Sequence, residues 1–284
     1  MAYLDQMDAD TGFLPTESTR DLGKELAERY RTGDPFPWIV IDDFLPERLA
    51  QGMLDHFGPA VQSDETRVFD RDQERYKSSY HPDTVDDYAR TVFYAFNSRP
   101  FIRVIENITG IKGLIPDPYY LGAGFHEIKT GGHLSVHADF NHHKPLNVER
   151  RINVLIYLNK DWDEAYGGQL ELWDTPMTRQ VQSLVPSFNR CVTFNTTSNS
   201  MHGNPNVVRH PGDVSRKSIA LYYYTSTWDG MKRAHDTQFK ARPDTADRYD
   251  WKVRIDEVAQ ELVPPVLLRG VKRAARVARR VAAR

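Results

Sequence analysis

Residues 124–140 read GFHEIKTGGHLSVHADF. Two short runs rich in aromatic and β-branched residues, 124–128 and 133–137, flank a Gly-Gly pair. Runs of this length bounded by turn-forming residues predict strands. The same texture continues outward through INVLIYL (152–158), QLELW (169–173), RCVTFN (190–195) and SIALYYYT (218–225). Gly, Pro, Asn or Asp clusters separate these runs, as in an antiparallel sandwich or barrel. The β core is therefore expected over 120–227.

The first 119 residues read as a mainly helical support. Ser18 with Asp21 resembles a capping box ahead of Leu22, Leu26 and Tyr30 at helical spacing. PWIVIDDF (37–44) predicts a strand, and PERLAQGMLDHF (46–57) a helix with Pro46 near its start. Residues 62–83 are polar and poorly periodic and read as a long loop, with helices following over 84–96 and 99–108. Beyond the core, residues 228–284 are expected to form a helical extension that resumes near Tyr249. The expected class is mainly β with flanking helices.

Within 284 residues, 37 Lys and Arg balance 39 Asp and Glu, a net charge of -2 that argues against nucleic-acid binding by the whole chain. The single cysteine, Cys191, excludes an internal disulfide and fits a reducing compartment. Its setting in CVTFN predicts a buried structural thiol. MAYLDQMDADTGF at the start has neither the basic nor the apolar region of a signal peptide, and no apolar run reaches transmembrane length. A soluble, cytoplasmic protein is the expectation.

His137 and Asp139 lie two apart, so on a strand they project to one face and offer adjacent corners of a metal's coordination sphere. Such a short pattern is weak alone. His202 ends the β-like run in FNTTSNSMHGNP (194–205), while its rival His210 sits in the loop-like VVRHPGD. In SRKSIALYYYT (215–225), Arg216, Ser218, Ala220 and Tyr222 share one face and Lys217, Ile219 and Leu221 the other. An inward arginine beside a serine suits a carboxylate, and a buried arginine without an anion would be costly.

GGHLSVHADF, INVLIYLNKDW with GGQLELWD, FNTTSNSMHGNP and SRKSIALYYYT, in that order, resemble the Fe(II)- and 2-oxoglutarate-dependent dioxygenases of the prolyl 4-hydroxylase-like branch. PFPWIVIDDFLP extends the likeness more weakly toward the N-terminus. The resemblance implies a double-stranded β-helix, or jelly roll. It implies that His137, Asp139 and His202 bind Fe(II), and that Arg216, assisted by Ser218, binds the distal carboxylate of 2-oxoglutarate. It further implies that O2 and 2-oxoglutarate are converted to succinate and CO2 as a C–H bond is hydroxylated, with ascorbate as an accessory reductant. The carboxylate of Asp139 favours hydroxylation, since related halogenases lack it. The chain departs from the pattern at Ile128, where many prolyl hydroxylases carry a tyrosine that contacts 2-oxoglutarate.

Two other readings stay open on the residues alone. One is a zinc hydrolase using the same three side chains, which would have no need of Arg216 and Ser218. The other is a non-catalytic jelly-roll binding module. The substrate, a small molecule or a peptidyl residue, is unspecified, and specificity is expected in 62–83 and 140–151. His133 is expected to be a packed histidine, and His142 and His143 solvated loop residues. Trp162 and Trp173 read as structural, Tyr222 and Tyr224 as inward-facing and Tyr223 as outward-facing. Asn153, polar within an apolar strand, either lines the pocket or does not. The tail LLRGVKRAARVARRVAAR (267–284) carries an apolar stripe of Leu267, Val271, Ala274, Ala278 and Val281 among arginines. Docking on the core or simple disorder is expected ahead of contact with an anionic membrane, and nucleic acid is a poorer fit because no aromatic platform accompanies the tail.

Overall fold

Thirteen strands and four α-helices make up the described part of the chain, residues 1–61, 63–229, 231–232 and 234–247 of a computed structural model. The helix expected near Tyr249 and the basic tail lie outside the described residues. The strands are β1 (Trp38–Ile41), β2 (Arg67–Arg71), β3 (Glu74–Tyr80), β4 (Ile115–Pro116), β5 (Gly124–Ala138), β6 (His142–His143) and β7 (Val148–Tyr157). They continue with β8 (Leu170–Trp173), β9 (Gln180–Leu184), β10 (Cys191–Asn195), β11 (Met201–Asn204), β12 (Arg216–Thr225) and β13 (Gln238–Phe239). The helices are α1 (Ala27–Arg31), α2 (Glu47–Asp55), α3 (Asp87–Phe96) and α4 (Arg99–Thr109). The main path runs β1-β10-β7-β12-β5-β11-β8-β9, and its strand pairs are all antiparallel.

Alternation sorts the two faces of this sheet. Ile152, Val154 and Ile156 of β7 and Ile219, Leu221 and Tyr223 of β12 join the core that contains Phe93, Phe96, Phe101 and Ile105 of α3 and α4. Phe101, Ile102, Val104, Ile105 and Ile108 of α4 are all buried, and Gly110 in the left-handed region ends that helix. Tyr157, Leu170, Leu172, Val192 and Phe194 form a second cluster inside the fold. Cys191 is buried as expected.

Strand β5 fuses what the sequence presents as two strands. Its first part pairs with β12 (Phe125 with Ile219, Ile128 with Arg216), and its last part with β11 (His137 with His202). The Gly-Gly pair makes this passage possible. Gly131 has φ +84°, and a Cβ on Gly132 would stand 2.5 Å from the Arg75 carbonyl oxygen.

Most of the stretch expected as a loop over 62–83 is strand. β2 and β3 form a hairpin, and β3 pairs with β5 from Glu74↔Leu134 to Tyr80↔Phe125. Charged and polar side chains hide the strand period here, because β2 is mostly exposed and β3 buries Glu74, Ser78 and Ser79. The expected N-terminal helix is also broken. Ser18 Oγ donates to the Pro15 carbonyl instead of capping, and Gly23, with φ +99°, is pressed against α4. Asn107 Nδ2 donates to the carbonyls of Thr19, Arg20 and Leu22, so these acceptors are satisfied without a helix.

Candidate functional site

His137 lies directly opposite His202 across the β5–β11 pair, with ring centroids 4.5 Å apart. Asp139 follows one residue after β5 ends. Its Oδ1 is 3.6 Å from His137 Nε2 and its Oδ2 3.3 Å from His202 Nε2. One ligand atom from each of the three lies within 4.8 Å of the others. The Nδ1 atoms donate to the carbonyls of Ser135 (2.8 Å) and Ser200 (2.9 Å). A carbonyl oxygen only accepts, so each ring turns an unprotonated Nε2 toward Asp139. Burial, with the second imidazole nearby, lowers the His137 pKa and favours this neutral form. Two imidazoles and one carboxylate converging with fixed tautomers fit a divalent transition metal of the 2-His-1-carboxylate type.

The carboxylate is held from behind. Asn153 Nδ2 donates to Asp139 Oδ2 at 2.8 Å, and Arg150 Nη2 pairs with the same oxygen at 3.1 Å. Burial raises the Asp139 pKa, but the Arg150 guanidinium outweighs it and holds the group well below the usual carboxylate range. The Arg150 guanidinium also bonds Asn153 Oδ1 and stacks 3.6 Å from the Tyr222 ring centroid. A register shift opposite Tyr223/Tyr224 pairs Ile152 with Tyr223 but Arg150 with Tyr224, leaving Arg151 as an extra residue. That bulge turns Arg150 to the same face as Asn153, three residues on, which regular alternation forbids.

These groups line a cavity of about 230 Å³ together with Arg216 and Ser218. Arg216 is buried, and its Nε donates to the Gly168 carbonyl at 2.7 Å. No carboxylate pairs with it among the described residues, and burial lowers its pKa. Its guanidinium stands 4.9 Å from the ring centroid of Tyr157, whose buried hydroxyl finds no acceptor for its own proton among the described residues. Ile128 lines the cavity opposite Arg216, so the phenol nearest the guanidinium comes from β7. A buried cation on the cavity wall with no carboxylate partner among the described residues calls for an anion.

Among the remaining expectations, Asn153 does line the cavity, and Tyr222 does as well. Trp162 and Trp173 are buried. His133 Nε2 donates to the Asp72 carbonyl at 3.1 Å, tying β5 to the turn of the β2–β3 hairpin. His143 is not a solvated loop residue. It is fully buried in β6 with Nε2 3.0 Å from Asp117 Oδ1, a partner 26 residues earlier. His142 stacks on Trp228 at 4.1 Å. His210 packs against Trp162 and Tyr166, away from the triad. Sequence reasoning missed Arg150 and the hairpin wall; the double arginine in ERRINVL is the only signal for the former.

Residues 123–224 match a family described as the 2OG-Fe(II) oxygenase superfamily. Over 79 residues, 26% of this chain, the sequence is 38% identical to mouse (Mus musculus) prolyl 3-hydroxylase OGFOD1, of whose length the match covers 14%. A solved prolyl hydroxylase from Trichoplax adhaerens, in complex with a hypoxia inducible factor oxygen degradation domain peptide fragment, superposes with a TM-score of 0.54. Identity is 16%, and the overlap covers 76% of this chain and 95% of that one, a likeness of fold.

Proposed function

We propose, for a chain whose residues 123–224 match the 2OG-Fe(II) oxygenase superfamily, that the cavity holds Fe(II) on His137, Asp139 and His202 and 2-oxoglutarate on Arg216. The protein would then hydroxylate a C–H bond of a small molecule or a peptidyl residue with O2 as co-substrate. One observation carries this reading: a buried guanidinium with no carboxylate partner among the described residues lines the same cavity as the His/Asp/His triad. Hydrolysis on zinc has no use for such a group.

Bound iron and the oxo acid supply the activation of O2. The chain's own residues bind and orient. Arg216 presents a fork to a carboxylate, the Tyr157 hydroxyl is free to donate beside it, and Ser218 lies on the same strand face two residues on. Arg150 and Asn153 keep Asp139 ionised and fixed. Ile128, Leu155 and Leu170 give this part of the cavity apolar walls, which strengthen every charge interaction inside it. Ascorbate serves as reductant in this proposal. The lone buried Cys191 supports a reducing location, which we take to be the cytoplasm. No helix of the described residues is long and apolar enough to cross a membrane.

The test is 2-oxoglutarate-dependent succinate formation after Fe(II) loading, with calorimetric titration of 2-oxoglutarate into the Ni(II)-loaded protein. Arg216→Gln is expected to weaken 2-oxoglutarate at least about tenfold while metal content is unchanged. Retained zinc with no succinate formed would sink the reading.

A further inference from the structure

The proposed chemistry leaves one wall of the cavity unexplained. The β2–β3 hairpin contributes Arg67, Arg71 and Lys77 to the lining, against the single carboxylate of Glu74. Glu74 is already shared: Lys77 Nζ lies 2.9 Å from Oε1 and Arg71 Nε 2.9 Å from Oε2. Arg67 has no ion pair or side-chain hydrogen bond among the described residues. Asp64 and Glu65 line a second cavity on its other side, and neither pairs with it. Arg150 adds a further cation, and among the described residues its only carboxylate is Asp139. Once Asp139 serves a metal, its charge no longer offsets Arg150. The two charges of 2-oxoglutarate answer the metal and Arg216, so the hairpin side keeps a cationic surplus. A cleft of one sign with poorly polarisable walls focuses that field on whatever enters. Phe69 and Phe140 stand among these cations, so an apolar body with a charged end suits the wall.

We propose that the substrate is an anion, bearing a carboxylate or phosphate group that docks on the β2–β3 wall with Arg67 as its direct contact. This deepens the oxygenase reading and rests on it. Free small acids and acidic residues of a peptide share the chemistry, and the test separates them.

Inorganic phosphate is titrated into protein saturated with Ni(II) and 2-oxoglutarate, and the melting temperature is followed. Phosphate is expected to raise it in the native protein. Arg67→Gln, an exposed position with no partner to lose, is expected to weaken phosphate by about tenfold or more and Arg67→Glu further. 2-Oxoglutarate affinity should stay within about twofold, as expected for a side chain outside the Arg216 end. Equal phosphate affinity in native and Arg67→Gln protein would overturn the proposal. So would phosphate binding only when 2-oxoglutarate is left out, because that would place it on Arg216. Failure of 2-oxoglutarate itself to bind would instead overturn the oxygenase reading. Stimulated succinate formation is then compared for small acids, for Glu-containing peptides and for the amide counterpart of each. Stimulation by acids but not amides is the expected pattern, and stimulation by amides alone would count against an anionic substrate.

Discussion

A phenol buried with no acceptor for its proton among the described residues, as Tyr157 is beside Arg216, destabilises a protein unless a ligand satisfies it. Tyr157→Phe should therefore act in opposite directions on two measurements. Without ligand, the variant is expected to be more stable, by about 1–3 kcal/mol at most, in urea unfolding. With Ni(II) present, 2-oxoglutarate should bind it roughly tenfold more weakly by calorimetry. A purely structural tyrosine would show neither change. Residues of this kind differ in how much the sequence reveals. His137 and Asp139 are legible through their spacing, and Arg216 with Ser218 through strand parity. His202 becomes a partner only through the β5–β11 pairing, which no local spacing encodes. Arg150 is illegible because the bulge at Arg151 breaks the alternation on which its direction would be judged.

The hairpin β2–β3 is an element held by charge. Glu74 is 6% exposed, and burial raises its pKa, but Lys77 and Arg71 outweigh burial and leave it below the ordinary 4.5. A carboxyl depressed in the folded state contributes stability above its unfolded value and loses it as pH falls through the folded one. The hairpin should loosen only in acid, below about pH 4.5. Protection factors of the amides of residues 74–80, which remove the intrinsic slowing of exchange in acid, are expected to fall on going from about pH 6 to about pH 3.5, while those of β10 do not. Unchanged protection would mean that the backbone pairing with β5 suffices. The same charge explains why this element escapes a reading by hydrophobic period. Helices α2, α3 and α4 are legible because their stripes are apolar, and the segment before α1 is misread because Asn107, 85–88 residues away, supplies its carbonyls with a donor.

For the molecule as a whole, metal binding at the proposed site would be one equilibrium with folding. The triad draws on β5 and β11, which pair across the fold, so an ion held there stabilises only the folded chain. At a hundredfold excess over its dissociation constant, Ni(II) would add about 2.7 kcal/mol, a rise of roughly 5–10 °C in melting temperature. EDTA should reverse the rise, and His202→Ala should abolish it while keeping the far-ultraviolet circular dichroism of the native protein. A rise of equal size in His202→Ala would place the ion elsewhere. An antiparallel β core is legible from the run of short strands after residue 120, and the family resemblance adds the jelly roll, yet the sheet also recruits β1, β2 and β3 from the first 119 residues. One further consequence comes from β5, which carries Ile128 opposite Arg216 at one end and His137 opposite His202 at the other. The separation between the two chemistries is thus a tally of residues along one unbroken strand. Substitution can retune either end, but only an insertion or deletion can alter the gap, and a single one would turn His137 to the wrong side. Drift can reshape the hairpin wall freely while that interval stays locked.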